Sequence, residues 1–253
     1  MKRSSLLLLA VLAVLGACTK ELRTEKLFLE EEIPFHEGSA FNLSLRYDVQ
    51  FPTGGLNAEA IEAMRKTIRT TCFGEPYADF TAPLNELAQT VRDACVQDYK
   101  SSNEALLQEL GIPESEANTL SWATDIRGEF KESYEHWINY LATLYDYEGG
   151  AHGLTSEIPI VFDKQTGVPV TYDVFTGNLH PERLATLLDT HKFDKLELPE
   201  GIDTENVFYV DNIQPSRLFS VTEEGITFYY QPYEIAPYVF GVIPITIPWE
   251  ELK

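Results

Sequence analysis

Residues 41–51 alternate apolar and polar side chains without a break. Phe41, Leu43, Leu45, Tyr47, Val49 and Phe51 interleave with Asn42, Ser44, Arg46, Asp48 and Gln50. Side chains of an extended chain point to opposite faces in turn, so this period makes one strand with a buried face and a wet face. The buried face needs a cover, and the next two stretches supply amphipathic helices for it. Pro52-Thr53-Gly54-Gly55 stops the strand, and Asn57 stands where a helix cap is expected. Ile61, Met64, Ile68 and Cys72 then share one stripe, with Arg65, Lys66 and Arg69 toward the negative end of the helix dipole. Leu84, Leu87, Val91, Cys95 and Tyr99 repeat the spacing. Leu106, Leu107 and Leu110 extend this second helix to Gly111-Ile112-Pro113.

From Asn118 the chain reads as extended. Tyr134, Ile138, Tyr140 and Leu144 suit a strand, whereas Trp137, Leu141 and Tyr145 fit a helical stripe; β-branched and aromatic content favours the strand. Glu157–Phe162, the turn 163–167 and Val168–Tyr172 read as strand, turn, strand. Pro181 opens a short helix carrying Leu184, Leu187 and Leu188. Leu218–Val221 and Ile226–Tyr230 make a second hairpin, and Val242–Ile247 a last strand. The order predicts an α+β fold: an N-terminal β-α-α-β-β unit, then a β-rich domain with one or two helices on a mostly antiparallel sheet.

The N-terminus carries a different signal. Lys2 and Arg3 precede an apolar run from Leu6 to Ala17, and Leu15-Gly16-Ala17 puts small residues before Cys18. That is the pattern of a bacterial lipoprotein signal, cleaved before a lipidated cysteine. The run is shorter than the roughly 20 residues a bilayer span needs. The expected organisation is therefore a signal peptide over 1–17, a tether over 18–40 with Glu30-Glu31-Glu32 solvated, an N-terminal domain over 41–150 and a C-terminal domain over 151–253. The membrane is reached through the lipid anchor only. With no Asp after Cys18, the outer membrane is the expected destination, on its periplasmic or surface side. The mature chain keeps 17 basic side chains against 40 acidic ones, a formal charge of −23. Such a charge opposes binding to nucleic acid and draws basic partners. Cys72 and Cys95 could pair outside the cytoplasm. Their positions on successive antiparallel helices set them too far apart, so free thiols are expected.

No catalytic signature is present: no zinc-binding His-Glu-x-x-His, no Gly-x-Ser-x-Gly elbow, no phosphate loop and no dinucleotide fingerprint. No metal or cofactor is expected, because the five histidines are scattered. Two segments stand out. Residues 145–153 set Gly149, Gly150 and Gly153 around His152, a tight path that either presents a ligand-facing loop or makes a structural turn. Residues 228–241 interleave aromatics with prolines, either as a rigid binding strip or as core, with Glu234 meeting a backbone donor or a partner's cation. The ligand-binding candidates are Tyr147, Gly149, Gly150, His152, Tyr233, Glu234, Pro237 and Tyr238.

These segments carry a resemblance. Tyr147-Glu148-Gly149-Gly150-Ala151-His152-Gly153 resembles the corresponding turn of the RsiV-type extracytoplasmic domain. Tyr233-Glu234-Ile235-Ala236-Pro237-Tyr238, with Gly241 and Ile247-Pro248-Trp249, resembles the C-terminal signature of that family. Phe162–Gly167 and Asp173-Val174-Phe175 match between them in order and spacing. Upstream, the 41–51 strand with Pro52, and Phe73-Gly74, look like the companion N-terminal domain also found in PdaC-type peptidoglycan deacetylases. RsiV-type proteins are anti-sigma factors whose outer domain binds lysozyme. Here the lipidated Cys18 takes the place of their membrane helix and cytoplasmic segment, which removes direct control of a sigma factor. The deacetylase module of the PdaC type is missing, so no deacetylase residue carries over. The resemblance implies a non-catalytic envelope lipoprotein that binds a lysozyme-like hydrolase or a cell-wall glycan. Two other readings stay open: an envelope hydrolase using His152 with Asp146 or Glu234, and a structural or assembly lipoprotein.

Overall fold

The computed structural model describes residues 21–177, 179–198 and 207–253. Cys18 and the expected signal peptide over 1–17 lie outside them. The architecture is α+β, with two sheets and four helices among the described residues. Five strands form the larger sheet in the order β1 (Arg23–Pro34), β2 (Asn42–Gly54), β3 (Trp122–Phe130), β4 (Trp137–Tyr147) and β5 (Leu154–Asp163). All neighbours are antiparallel except β2 and β3. That parallel step demands a long crossover, which helices α1 (Ala58–Phe73) and α2 (Leu84–Leu110) provide.

The expected cap is present: Asn57 Oδ1 accepts from the Ala60 N–H at 2.7 Å. Met64, Ile68 and Cys72 of α1, and Leu87, Val91 and Tyr99 of α2, pack with Leu43, Leu45, Tyr47, Val49 and Phe51 of β2 in the first core. Burial along α2 stops at Asn103, and Leu106 and Leu110 face solvent. Gly111 ends that helix in the left-handed region at φ +66°. Cys72 is buried, Cys95 half-buried, and both thiols are free.

The tether reading of 18–40 is corrected over Arg23–Pro34, which pairs along its whole length with β2. Leu27 and Ile33 are buried in the first core. The acids between and around them are held by arginines: Glu30 by Arg46, Glu31 by Arg92, Glu25 by Arg65. An acid-rich string can thus be an edge strand when alternate residues pack and most of its acids find cations. The boundary at 150 does not divide the sheet either. β5 pairs with β4 across it, from Asp146↔Leu154 to Trp137↔Asp163. Beyond β5, Val168–Tyr172 makes one isolated bridge, Phe162↔Pro169, rather than a strand; Pro169 has no N–H to continue a ladder.

The smaller sheet is β6 (Phe219–Val221), β7 (Gly225–Tyr230) and β8 (Ile243–Pro248), all antiparallel. A one-turn helix α3 (Asp173–Thr176) and α4 (Pro181–His191) precede it. Leu184, Leu187 and Leu188 of α4 join Ile226, Phe228, Ile245 and Ile247 in a second core. Both cores are built from residues between Leu22 and Leu252.

A buried carboxamide joins the sheets. Asn139 of β4 donates to the carbonyls of Val221 and Glu132, each at 2.6 Å, and accepts the Val221 N–H at 3.1 Å. It stands in for a peptide group and continues the hydrogen bonding of β4 into β6.

Candidate functional site

The glycine turn and the aromatic strip meet at the end of the large sheet where β4 stops and β5 starts. Gly149 and Gly150 both lie at φ +97°, a region costly for side-chain-bearing residues. The Tyr147 hydroxyl closes the turn on the Gly150 carbonyl at 3.1 Å. Gly153 is required for another reason: a Cβ there would sit 2.5 Å from the Tyr145 ring.

Residues 231–238 are strapped to the outer edge of β5 by a second carboxamide. Gln231 accepts the Glu157 N–H at 3.0 Å and donates to the Glu157 carbonyl at 2.7 Å. A side chain thereby covers a strand edge that would otherwise be open. Glu234 meets the backbone donor foreseen as one of its two roles: its carboxylate accepts the Gln231 N–H at 2.8 Å. In return the Glu234 N–H donates to the Gln231 carbonyl at 3.0 Å. Pro237 starts the single 3-10 turn that carries Tyr238. Tyr238 donates its hydroxyl to the Gly153 carbonyl at 2.6 Å, which locks strip to turn.

Three rings cluster at this junction, His152 and Tyr233 exposed and Tyr238 half-buried. His152 stacks on Tyr238 with centroids 4.0 Å apart and planes 20° from parallel. Tyr233 lies 5.5 Å from Tyr238, and its hydroxyl is 3.4 Å from His152 Nε2. Tyr233 has φ +69°, an uncommon conformation for a bulky residue, and is 54% exposed. Strain of this kind persists only where the surroundings enforce it. His152, Tyr233 and Tyr238 therefore converge, while Tyr147, Gly149, Gly150, Glu234 and Pro237 build the frame beneath them. None of the eight lines any of five larger clefts among the described residues. The stacked rings and the Tyr238–Gly153 hydrogen bond close the junction between strip and turn, which presents a surface at these residues.

Its chemistry is that of an acidic, aromatic face. Burial raises the Glu148 carboxyl pKa, and Asp146 and Asp98 push it further. Burial also raises that of Glu157, against the pull of Lys131. His152 Nδ1 is 3.1 Å from the Gly153 carbonyl, and no carboxylate among the described residues hydrogen-bonds its ring. Asp146 instead accepts from the Thr124 hydroxyl, and Glu234 is committed to Gln231. No group of three His, Cys, Asp or Glu side chains among the described residues is placed to hold a metal. The two carboxamides, Asn139 and Gln231, escape sequence reasoning. Each recognises a backbone more than seventy residues away, and no local pattern marks such a partner.

Residues 180–250 match the family model DUF3298, described as a protein of unknown function. The matched stretch holds α4, the smaller sheet and the aromatic strip, but not the glycine turn. No curated protein matches the chain. Among solved structures, a DUF3298 family member from Bacteroides fragilis NCTC 9343 is similar over 92% of each chain, at 24% identity and a TM-score of 0.77. A DUF3298 family protein from Pseudomonas aeruginosa PAO1 is similar over 92% of this chain and 94% of its own, at 16% identity and a TM-score of 0.57. At these identities the likeness is one of fold. Residues 180–250 thus carry a DUF3298 domain, within a fold shared with solved DUF3298 proteins.

Proposed function

We propose that this protein is a non-catalytic binding lipoprotein of the bacterial envelope. In this reading it grips a cell-wall-related ligand through His152, Tyr233 and Tyr238. The observation that carries the reading is the stacked ring set, locked from beneath and left open to solvent. Rigid aromatics bind at low entropic cost and dominate interface energies. The filled junction favours a protein surface over a threaded glycan strand, and the acidity favours a basic one. A lysozyme-like hydrolase, the partner implied by the RsiV-type resemblance, meets both conditions. The PdaC-type companion domain would then be the residues up to β4.

The register supports an orientation for the anchored molecule. A chain leaving through Glu21 departs from the start of β1, at the Arg23↔Gly54 pair. Tyr147 shares a row with Ala123, Ser44 and Glu32, nine residues further along β1, or about 30 Å. With acyl chains on Cys18, the ring face would look away from the membrane. A chain starting at Glu21 keeps every residue of both cores and is the reagent of choice. Calorimetry against hen lysozyme at low salt should show micromolar binding that weakens as salt rises. Tyr233→Ala and His152→Ala should each weaken it about tenfold while shifting the melting temperature little. No binding, with lytic activity unchanged, removes this partner; soluble peptidoglycan fragments in the same cell test the glycan.

A further inference from the structure

The opposite end of the large sheet holds a cavity of about 810 Å³, where β1 begins, β2 and β3 end and β4 begins. That is within the size range of small-molecule sites. Its lining departs from the strong acidity of the whole protein. The chain has 40 acidic and 19 basic side chains, yet the cavity is lined by two lysines, Lys131 and Lys164, and one acid, Glu21. Lys164 Nζ is positioned by the Glu135 carbonyl at 2.9 Å, and Lys131 by Glu129. Each ammonium has three protons, so both keep donors for a ligand.

Three more polar groups line the same space: the hydroxyls of Thr24 and Ser133, and the carboxamide of Gln50. Gln50 Oε1 is taken by the Phe130 N–H at 3.2 Å, which orients the carboxamide. The two hydroxyls and the Gln50 amide nitrogen have no hydrogen-bond partner among the described residues. Leu56, Phe130 and Ile138 make the walls apolar. Two cations and several free donors beside hydrocarbon suit a ligand with multiple anionic oxygens on an apolar body.

We propose that this cavity binds a phosphate monoester carrying an apolar group. A phosphate presents three strong acceptor oxygens and close to two charges at neutral pH. Lysine meets it as a point charge. The ligand has two possible sources, a soluble ester or a lipid headgroup. Cys18 precedes Glu21 by three residues, a reach of at most about 11 Å, so an acylated Cys18 would bring lipid phosphates near the mouth. The binding chemistry itself does not require the anchor.

The test uses the chain from Glu21 and octyl phosphate as probe, followed by calorimetry and thermal shift. Binding at a Kd of about 1 mM or tighter is expected, and Lys131→Gln/Lys164→Gln should weaken it at least tenfold while melting as the parent does. Thr24→Val/Ser133→Ala is the milder second variant, with a smaller loss expected. Sedimentation with phosphatidic acid vesicles separates the sources. Vesicle binding lost in the lysine variant assigns a headgroup, and binding of octyl phosphate alone assigns a soluble ester. No octyl phosphate binding, equal binding by the lysine variant, or an equal response to octanol overturns the proposal.

Discussion

The two ends of the five-stranded sheet are built on opposite principles. At the end of the glycine turn, nearly every polar group is spent internally. Gln231 takes both backbone groups of Glu157, Glu234 takes the Gln231 N–H, and Tyr147 and Tyr238 take the Gly150 and Gly153 carbonyls. What remains outside is a set of rings. At the other end the walls stand apart, and hydroxyls, a carboxamide and two amines line an open cavity. The lesson is that polar composition alone does not mark a site. A donor already bonded to its own backbone shapes a surface, and an unspent one can hold a ligand.

The contrast predicts that substitutions in the frame of the filled end, beneath the exposed rings, cost stability, whereas the lysine substitutions at the cavity stay within about 0.5 kcal/mol. The largest effect belongs to Gln231→Leu. It leaves the Glu157 N–H and carbonyl without partners and should cost about 3 kcal/mol. In a chain of this size the melting temperature would fall by roughly 6–12 °C. A drop no larger than that of the lysine variant would erase the contrast. Gly150→Ala comes next. Nothing crowds the position, so the positive φ alone acts, at about 1–2 kcal/mol by denaturant titration. A neutral result would place the rigidity in the strap rather than the turn.

The smallest effect is electrostatic and belongs to the same end. The Glu37 carbonyl and the Glu114 carboxylate raise the His36 pKa above 6.5. The Ser39 hydroxyl, then His36, lower that of Glu114 below 4.5. A raised histidine stabilises below its unfolded value and loses that contribution as pH climbs through the folded one. A lowered carboxylate stabilises above its unfolded value and loses it as pH falls. The pair thus contributes fully between about 4.5 and 6.5. Melting scans should show a slight decline from pH 6 to pH 8 that His36→Gln flattens, and the exposure of the His36 ring keeps it small.

Much of the fold was legible because its signals are local. The period-two run over 41–51, the Asn57 cap, the helical stripes and the Pro181 start each need only a few neighbours to be read, and the structure has them. β1 was misread as tether because its acids looked solvated, and only Arg46, Arg65 and Arg92, brought from β2, α1 and α2, make them strand residues. The candidate ring site was legible in part. The glycines around His152 and the tyrosines of the strip marked themselves by composition, but that the two segments touch was not written in either. That meeting, the Asn139 and Gln231 splices, and the lysine-lined cavity all depend on groups far apart in sequence. Local propensity carries no information about such pairs, so the sequence determined which elements form, and tertiary packing decided which polar groups were consumed and which were left free.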